Sequence, residues 1–200
     1  ILNARNSQKG FYCVIDLTHP FATKITPNIY KVCKELGQQF IRYERPIDNT
    51  SNAFLIKKIG DLGKYDLKNK SILFALGVRH IQEVIIFARN LGANVYARIL
   101  ANPESIKKTL SSSLLKTNFA VLNPSSSGDG EIEKALIRKW SIDGVVCRQS
   151  GGKTEKLWQE IRLSMGIDLW LLERPAKLQY VTSIDSYEKL TKRLESISMK

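Results

Sequence analysis

The alternation of short apolar runs with helical patterns most restricts how this chain can fold. Seven runs rich in β-branched and aromatic residues predict strands, and several are apolar throughout, as parallel strands covered on both faces are. The runs are FYCVID (11–16), FIRYE (40–44), SILFAL (71–76), ANVYARIL (93–100), TNFAVL (117–122), GVVCR (144–148) and DLWLLE (168–173). Helical spacing of apolar residues lies between them, as at 26–36 and 81–91. This order predicts an α/β protein with mostly parallel sheets and right-handed crossovers.

Residues 46–70 interrupt the pattern with the densest cluster of Pro, Asn, Gly and Asp in the chain. We interpret this segment as a connection between two Rossmann-like lobes with a cleft between them. The predicted division is 1–60 for the remainder of an N-terminal lobe, 61–178 for a second lobe and 179–200 for a C-terminal helix that packs back on a lobe.

Composition excludes several classes of protein. No apolar run of the 200-residue chain approaches the ~20 residues that span a bilayer, and no signal peptide is recognisable. The three cysteines are scattered, which favours reduced thiols in the cytoplasm over disulfides or zinc. The net charge of +12 attracts anions, but basic residues alternate with acids, as in EIEKALIRK, and no zinc-finger spacing or basic arm is present. We therefore expect an anionic small-molecule partner, and neither a membrane nor a specific nucleic acid.

Polar residues follow the predicted strands, where open α/β sheets bind their ligands. Arginine recurs at these strand ends, and its planar fork suits carboxylates and phosphates. The arginines are Arg42, Arg45, Arg79, Arg98, Arg148 and Arg174. After the first strand, IDLTHP offers Asp16 and His19. His19 either binds ligand or only fixes the turn, and Asp16 either transfers a proton, caps the next segment or holds His19.

The segment SGGKTEK (150–156) resembles an anion-binding loop, because glycines let backbone N–H groups face a ligand at a helix N-terminus. It is no Walker A motif, the chain has no G-x-G-x-x-G, and a plain turn before a helix remains the alternative. The two histidines, His19 and His80, lack metal-ligand spacing, so we predict no metal site.

These motifs form an ordered set that resembles the precorrin-6A reductase family, the tetrapyrrole reductases of cobalamin biosynthesis. DLTHPFA resembles the family's D-A-T-H-P-[FY]-A signature and is followed by the matching Asn28. Further matches are RYERP to R-x-E-R-P, LFALG to a strand-glycine opening, ARIL to R-[IV]-L-P, CRQSGGKTEKLW to T-K-x-S-G-G, and LLERP to I-x-R-P. The resemblance spans roughly residues 11–176.

The resemblance implies hydride transfer from NADPH or NADH to a C=C bond of precorrin-6A or cobalt-precorrin-6A, an anionic tetrapyrrole. The implied catalytic residues are Asp16 and His19. The implied substrate-binding residues are Thr18, Arg42, Arg45, Arg98 and Arg174. The implied cofactor-binding residues are Ser150, Gly151, Gly152 and Lys156.

The chain departs from the family pattern at several positions. These are Leu17, Val78, Arg79, Ala101, Asn123 and Arg148. The family begins with a strand and a G-G-T type loop that contributes to nicotinamide-cofactor binding. This opening is not found before residue 11. The alternative to a reductase is therefore a catalytically impaired α/β protein that binds an anionic ligand, either a nucleotide or a tetrapyrrole.

Overall fold

The computed structural model describes residues 11–47, 53–123 and 129–198. Among these residues the strands are β1 (Val14–Asp16), β2 (Phe40–Tyr43), β3 (Phe54–Ile56), β4 (Ser71–Phe74), β5 (Asn94–Ile99), β6 (Phe119–Val121), β7 (Gly144–Arg148), β8 (Asp168–Leu172) and β9 (Ser183–Ile184). The α-helices are α1 (Ile25–Glu35), α2 (Ile81–Asn90), α3 (Pro103–Leu110), α4 (Glu131–Trp140), α5 (Lys153–Met165) and α6 (Tyr187–Ser198). Short 3₁₀ turns cover Ile59–Lys64 and Lys116–Asn118. The predicted α/β class is confirmed.

The chain forms two compact units. Unit 1 comprises residues 1–47 and 175–200, and unit 2 comprises residues 48–174. The sequence-based boundaries fall after residues 60 and 178. In the structure, unit 2 starts before the first of these boundaries, and the chain re-enters unit 1 at residue 175. Among the described residues, no helix is long and apolar enough to cross a membrane.

Unit 1 contains a three-stranded parallel sheet in the order β1-β2-β9. The register places Asp16 of β1 beside Arg42 of β2, and Arg42 beside Ser183 of β9. Helix α1 follows β1 and begins at Ile25, close to the start of the helical spacing predicted for 26–36. The register of the sheet therefore places the carboxylate of Asp16 beside the guanidinium of Arg42 at the carboxyl ends of the strands.

Unit 2 contains a six-stranded parallel sheet in the order β3-β8-β7-β4-β5-β6. Successive residues of β4 point to opposite faces: Ile72 and Phe74 join one buried cluster, and Leu73 joins the other. A Cβ at Gly144 would collide with the indole of Trp170, so this glycine lets the ring pack against β7. The two covered faces explain the continuously apolar strand sequences.

The seven predicted strands and the predicted helices are present with small shifts of their ends. Helix α3 shows why such ends are predictable: Asn102 accepts a hydrogen bond from the backbone N–H of Ser105 at 2.8 Å, and Pro103 occupies the first turn. Two strands escape sequence analysis. Strand β3 lies inside the stretch interpreted as a connection, and β9 has two residues.

The chain order defines a switch point in unit 2. From β4 the sheet grows to one side through β5 and β6, and then to the other side through β7 and β8. The carboxyl ends of β4 and β7 are neighbours, since Ala75 donates its N–H to the carbonyl of Val146 at 2.9 Å. A ligand crevice is expected outside the strands where the order reverses in this way.

Candidate functional site

Asp16 is the last residue of β1, and both of its carboxylate oxygens have partners within the protein. Its Oδ1 lies 3.0 Å from Nη1 of Arg42 and accepts the backbone N–H of Thr18 at 2.9 Å. Its Oδ2 accepts the hydroxyl of Thr26 at 2.6 Å. Only 2% of the residue is exposed. The carboxylate therefore closes the turn after β1 and ties that turn to α1 and β2.

The same contacts set the pKa of Asp16. Burial by itself raises the pKa, but the hydrogen bonds from Thr26 and Thr18 and the charge of Arg42 together outweigh burial and hold the pKa below its usual value. Asp16 is thus ionised near neutral pH and acts as an acceptor. These contacts correspond to the capping role that the sequence allowed, and proton transfer by Asp16 stays a prediction.

Arg42 is engaged within the protein. Only 4% of the residue is exposed, and Nη1 donates to the hydroxyl of Thr18 at 3.0 Å and to the carbonyl of Asp16 at 3.4 Å. Its Nε lies 3.6 Å from Oε1 of Glu44. The guanidinium that the sequence assigned to substrate binding is therefore directed at its own strand ends, and the hydroxyl of Thr18 is one of its acceptors.

His19 is exposed, and its Nδ1 accepts the backbone N–H of Phe21 at 3.2 Å. In the neutral imidazole this hydrogen bond places the proton on Nε2. The contact fixes the turn, which is one of the two roles that the sequence allowed. Arg45 follows β2 and is half-buried. Ligand binding by His19, Thr18 and Arg45 stays a prediction.

A cavity of about 60 Å³ lies at this edge of unit 1. Its lining comes from the turn after β1, the first turn of α1, the end of β2 and the segment 175–183. The polar lining residues are Thr23, Thr26, Arg42, Glu44, Lys177 and Ser183. Lys177 and Ser183 are absent from the sequence-based site, because no local motif links them to β1 and β2.

Two loops meet at the switch point of unit 2. The first follows β4 and contains Gly77, whose φ of +81° requires glycine and whose missing Cβ faces open space. The second follows β7 and contains Ser150, Gly151 and Gly152, all part of the predicted cofactor site. The backbone N–H of Arg174 donates to Oε1 of Gln149 at 3.4 Å, which brings the end of β8 beside the second loop.

Two arginines influence each other at these strand ends. Arg148 ends β7 and is half-buried, and Arg79 follows β4 and is exposed. Burial lowers the pKa of Arg148, and the like charge of Arg79 lowers it further. The sequence noted both arginines at strand ends, yet neither is among the predicted site residues. An anion between them would relieve their mutual repulsion.

The loop after β7 donates a hydrogen bond to the carboxylate of Glu155. Glu155, which is 1% exposed, accepts the backbone N–H of Gly151 at 2.7 Å through Oε2 and the amide of Gln159 at 3.1 Å through Oε1. This resembles a capping box, and a glutamate in the first turn of α5 is its sequence signal. Ser150 and Gly152 are buried, and Lys156 is exposed. A donor expected to face a ligand is directed at Glu155 here.

Arg98 is another predicted substrate residue with an internal partner. Its Nη2 lies 3.7 Å from Oε1 of Glu133 on α4, and both side chains are at least nine-tenths buried. Arg174 follows β8 and is half-buried. Within residues 11–47, 53–123 and 129–198, no group of three or more His, Cys, Asp or Glu side chains is placed to hold a metal ion.

These features define an α/β protein with two parallel sheets and charged residues at their carboxyl edges. A family model described as precorrin-6x reductase CbiJ/CobK matches residues 2–195. The chain therefore belongs to the precorrin-6x reductase family, as its motifs predicted.

Individual relatives agree with this assignment. The chain is 30% identical over 168 residues to a cobalt-precorrin-6A reductase of Synechocystis, covering 81% of this chain and 63% of that protein. It is 27% identical over 192 residues to a cobalt-precorrin-6A reductase of Methanocaldococcus jannaschii, covering 93% and 73%. A solved structure of CobK precorrin-6A reductase matches with a TM-score of 0.72 at 17% identity, over 98% of this chain and 78% of that one. The chain thus spans less than two thirds of the Synechocystis protein.

Proposed function

We propose that the protein reduces a C=C bond of precorrin-6A or cobalt-precorrin-6A with hydride from NADPH or NADH. The observation that carries this proposal is the family match over residues 2–195. Relatives named for both the cobalt-containing and the cobalt-free substrate lie at similar identity, 30% and 26%. The reaction adds a hydride to one carbon of the double bond and a proton to its neighbour, so the product is the dihydro macrocycle.

We place the dinucleotide at the switch point of unit 2. The bound nicotinamide would supply the hydride, and the protein would orient it. The glycine turn at Gly77 permits close approach of a ligand to the backbone, and Arg79 and Arg148 provide two positive charges for its phosphates. Ser150, Gly151, Gly152 and Lys156 belong to the same edge and complete the proposed cofactor site.

The substrate of this reaction carries acetate and propionate arms, so its recognition requires cations and hydroxyls. The net charge of +12 favours capture of such an anion. His19 and Arg45 in unit 1 and Arg174 in unit 2 remain proposed ligand contacts. Arg42 and Arg98 are given a different role: each balances a buried carboxylate of its own unit and thereby holds the strand ends in place.

The test is a turnover assay with the full-length protein. NADPH and either precorrin-6A or cobalt-precorrin-6A are mixed with the protein, and the absorption of the macrocycle and of NADPH is followed together. We expect one NADPH to be oxidised for each macrocycle reduced. If both ligands bind and neither spectrum changes, the reductase proposal is wrong and the anionic-ligand binding protein takes its place.

A further inference from the structure

We infer that the cavity of unit 1 binds one carboxylate-ended arm of the macrocycle and that Lys177 is the residue that contacts the carboxylate. The identity of the macrocycle rests on the proposed function, whereas the chemistry of the arm follows from the cavity. Lys177 belongs to the segment that returns to unit 1 after β8. It is a specificity residue in this assignment and takes no part in hydride transfer.

The size and walls of the cavity fit a short aliphatic acid. A volume of about 60 Å³ holds about four to six water-sized groups, which matches the atoms of an acetate arm. Much of the wall is apolar, with contributions from Pro20, Pro27, Pro175 and Val181. Such walls suit the methylene carbons of an acetate or propionate arm. Four polar lining residues form a connected group, because Glu44 contacts both Arg42 and Lys177, and Lys177 contacts Ser183. The carboxylate would sit against this group.

Lys177 belongs to this polar group. Its Nζ lies 3.4 Å from Oε2 of Glu44 and donates to the hydroxyl of Ser183 at 3.4 Å. An ammonium group has three N–H donors, so these two contacts leave one donor for a further acceptor. The side chain is 57% exposed, which lets a ligand reach it. Glu44 also lies against Arg42 and therefore acts as a positioning residue for Lys177.

Arg42 also lines the cavity but is a weaker candidate for the contact. Its guanidinium already meets Asp16, Thr18 and Glu44. The 11-residue helix α1 adds to the positive potential, since it begins beside the cavity with no acidic residue in its first turn. A phosphate fits less well than a carboxylate, because it brings more negative charge towards Glu44 and has no carbon stem for the apolar walls.

The inference is tested by calorimetric titration of the full-length protein with uroporphyrin III, a porphyrin that bears acetate and propionate arms. We expect Lys177→Gln to weaken porphyrin binding roughly tenfold, the usual effect of losing one charge-assisted hydrogen bond. Lys177→Arg should retain most of the affinity, because it keeps a charged donor. The matched control is Lys189→Gln, which removes the same charge from an exposed pair with Asp185 in the same unit.

Each result decides the assignment. Porphyrin affinity that is unchanged in Lys177→Gln, or that falls equally in Lys189→Gln, overturns it. A loss of NADP⁺ affinity without a loss of porphyrin affinity also overturns it and gives the cavity to a dinucleotide phosphate. Failure of the turnover assay, with porphyrin binding that still depends on Lys177, refutes the reductase and leaves the arm-binding cavity in place.

Discussion

Two arginines at strand ends, Arg42 in unit 1 and Arg148 in unit 2, differ in the charge of the neighbours that influence them. In unit 1, Arg42 lies between Asp16 and Glu44, and its charge is balanced inside the protein. In unit 2, Arg148 lies close enough to the like charge of Arg79 for its pKa to fall further than burial alone requires. The neighbours of an arginine at a strand end therefore set its electrostatic surroundings, and residue type alone does not.

Two buried carboxylates, Asp16 in unit 1 and Glu155 in unit 2, also differ in their partners. Asp16 faces a cation and two hydroxyl or amide donors, so it braces a turn. Glu155 accepts an N–H from Gly151 in the loop that we propose binds the dinucleotide. We expect substitutions of Asp16 or Arg42 to change stability more than binding, and substitutions at the switch point of unit 2 to change binding more than stability.

The largest effect is expected from Arg42→Leu. The change leaves the fully buried carboxylate of Asp16 without its cation, and breaking a buried pair in this way costs about 3–5 kcal/mol. The free energy of unfolding should fall by that amount. Hydrogen exchange at β1 and β2 measures it directly, since Trp140, Trp158 and Trp170 all lie in unit 2 and their fluorescence does not report on unit 1.

The control for Arg42→Leu is Lys31→Leu on α1. Lys31 lies 3.9 Å from Glu35 in a pair that is 77% and 60% exposed, and such pairs contribute about 0.5 kcal/mol or less. A loss in Arg42→Leu no greater than the loss in Lys31→Leu would show that Asp16 does not depend on the pair. The contrast between the two units would then disappear.

The pH dependence of stability tests the same network. The folded pKa of Asp16 lies below its unfolded value of about 3.9, so the stability from ionised Asp16 is fully present above that value and is lost as the pH falls through the folded pKa. The stability difference between the wild type and Asp16→Asn should be constant from about pH 5 to 7 and shrink below about pH 4. Urea unfolding followed by circular dichroism measures it.

The control for the pH series is Asp185→Asn, which changes an exposed carboxylate paired with Lys189. Its difference from the wild type should vary much less with pH, because solvent screens the pair. If the stability advantage of the wild type over Asp16→Asn instead grew as the pH fell from about 7 to 5, burial would dominate, and the pKa of Asp16 would be raised instead of lowered.

The sequence predicts the fold well because the pattern and its cause are local. Strands covered on both faces have to be apolar, so β4, β7 and β8 are visible in the residues themselves. Strand β3 is different: Phe54 and Leu55 are exposed, and the strand exists because Phe54 pairs beside Trp170 of β8. No local pattern carries that information, and the same holds for the two residues of β9.

The sequence predicts where the candidate site lies, but it does not predict which side chains contact one another there. Strand ends identify Asp16 and Arg42, but only the register of β1 against β2 sets them side by side. Thr26 is predictable as a residue near a helix start, whereas its hydrogen bond to Asp16 depends on how α1 packs. Lys177 reaches the cavity because the chain returns to unit 1 far along the sequence. Contacts between distant segments are thus where sequence reasoning stops.

The next effect concerns Arg148 in unit 2. Arg148→Met removes one of the two charges proposed to face the dinucleotide phosphates, so the dissociation constant for NADP⁺ should rise roughly tenfold. Arg79→Met should have a similar effect on NADP⁺ and should also raise the pKa of Arg148. Calorimetric titration measures both variants, with Arg138→Met on the exposed face of α4 as the control. Unchanged NADP⁺ affinity in Arg148→Met and Arg79→Met would remove the switch point from the proposed cofactor site.

The smallest effect is expected from Glu155→Gln. The amide oxygen can still accept the N–H of Gly151, but a negative charge disappears from the N-terminus of α5, where it repels an incoming phosphate. NADP⁺ should therefore bind about two- to fivefold more tightly, while α5 loses a stabilising charge of about 0.3–1 kcal/mol. Glu160→Gln, an exposed change on the same helix, should alter neither quantity. Weaker binding in Glu155→Gln would mean that the carboxylate helps to hold the ligand. Asp16 and Glu155 would then both act as positioning groups, and they would differ only in the groups that they contact.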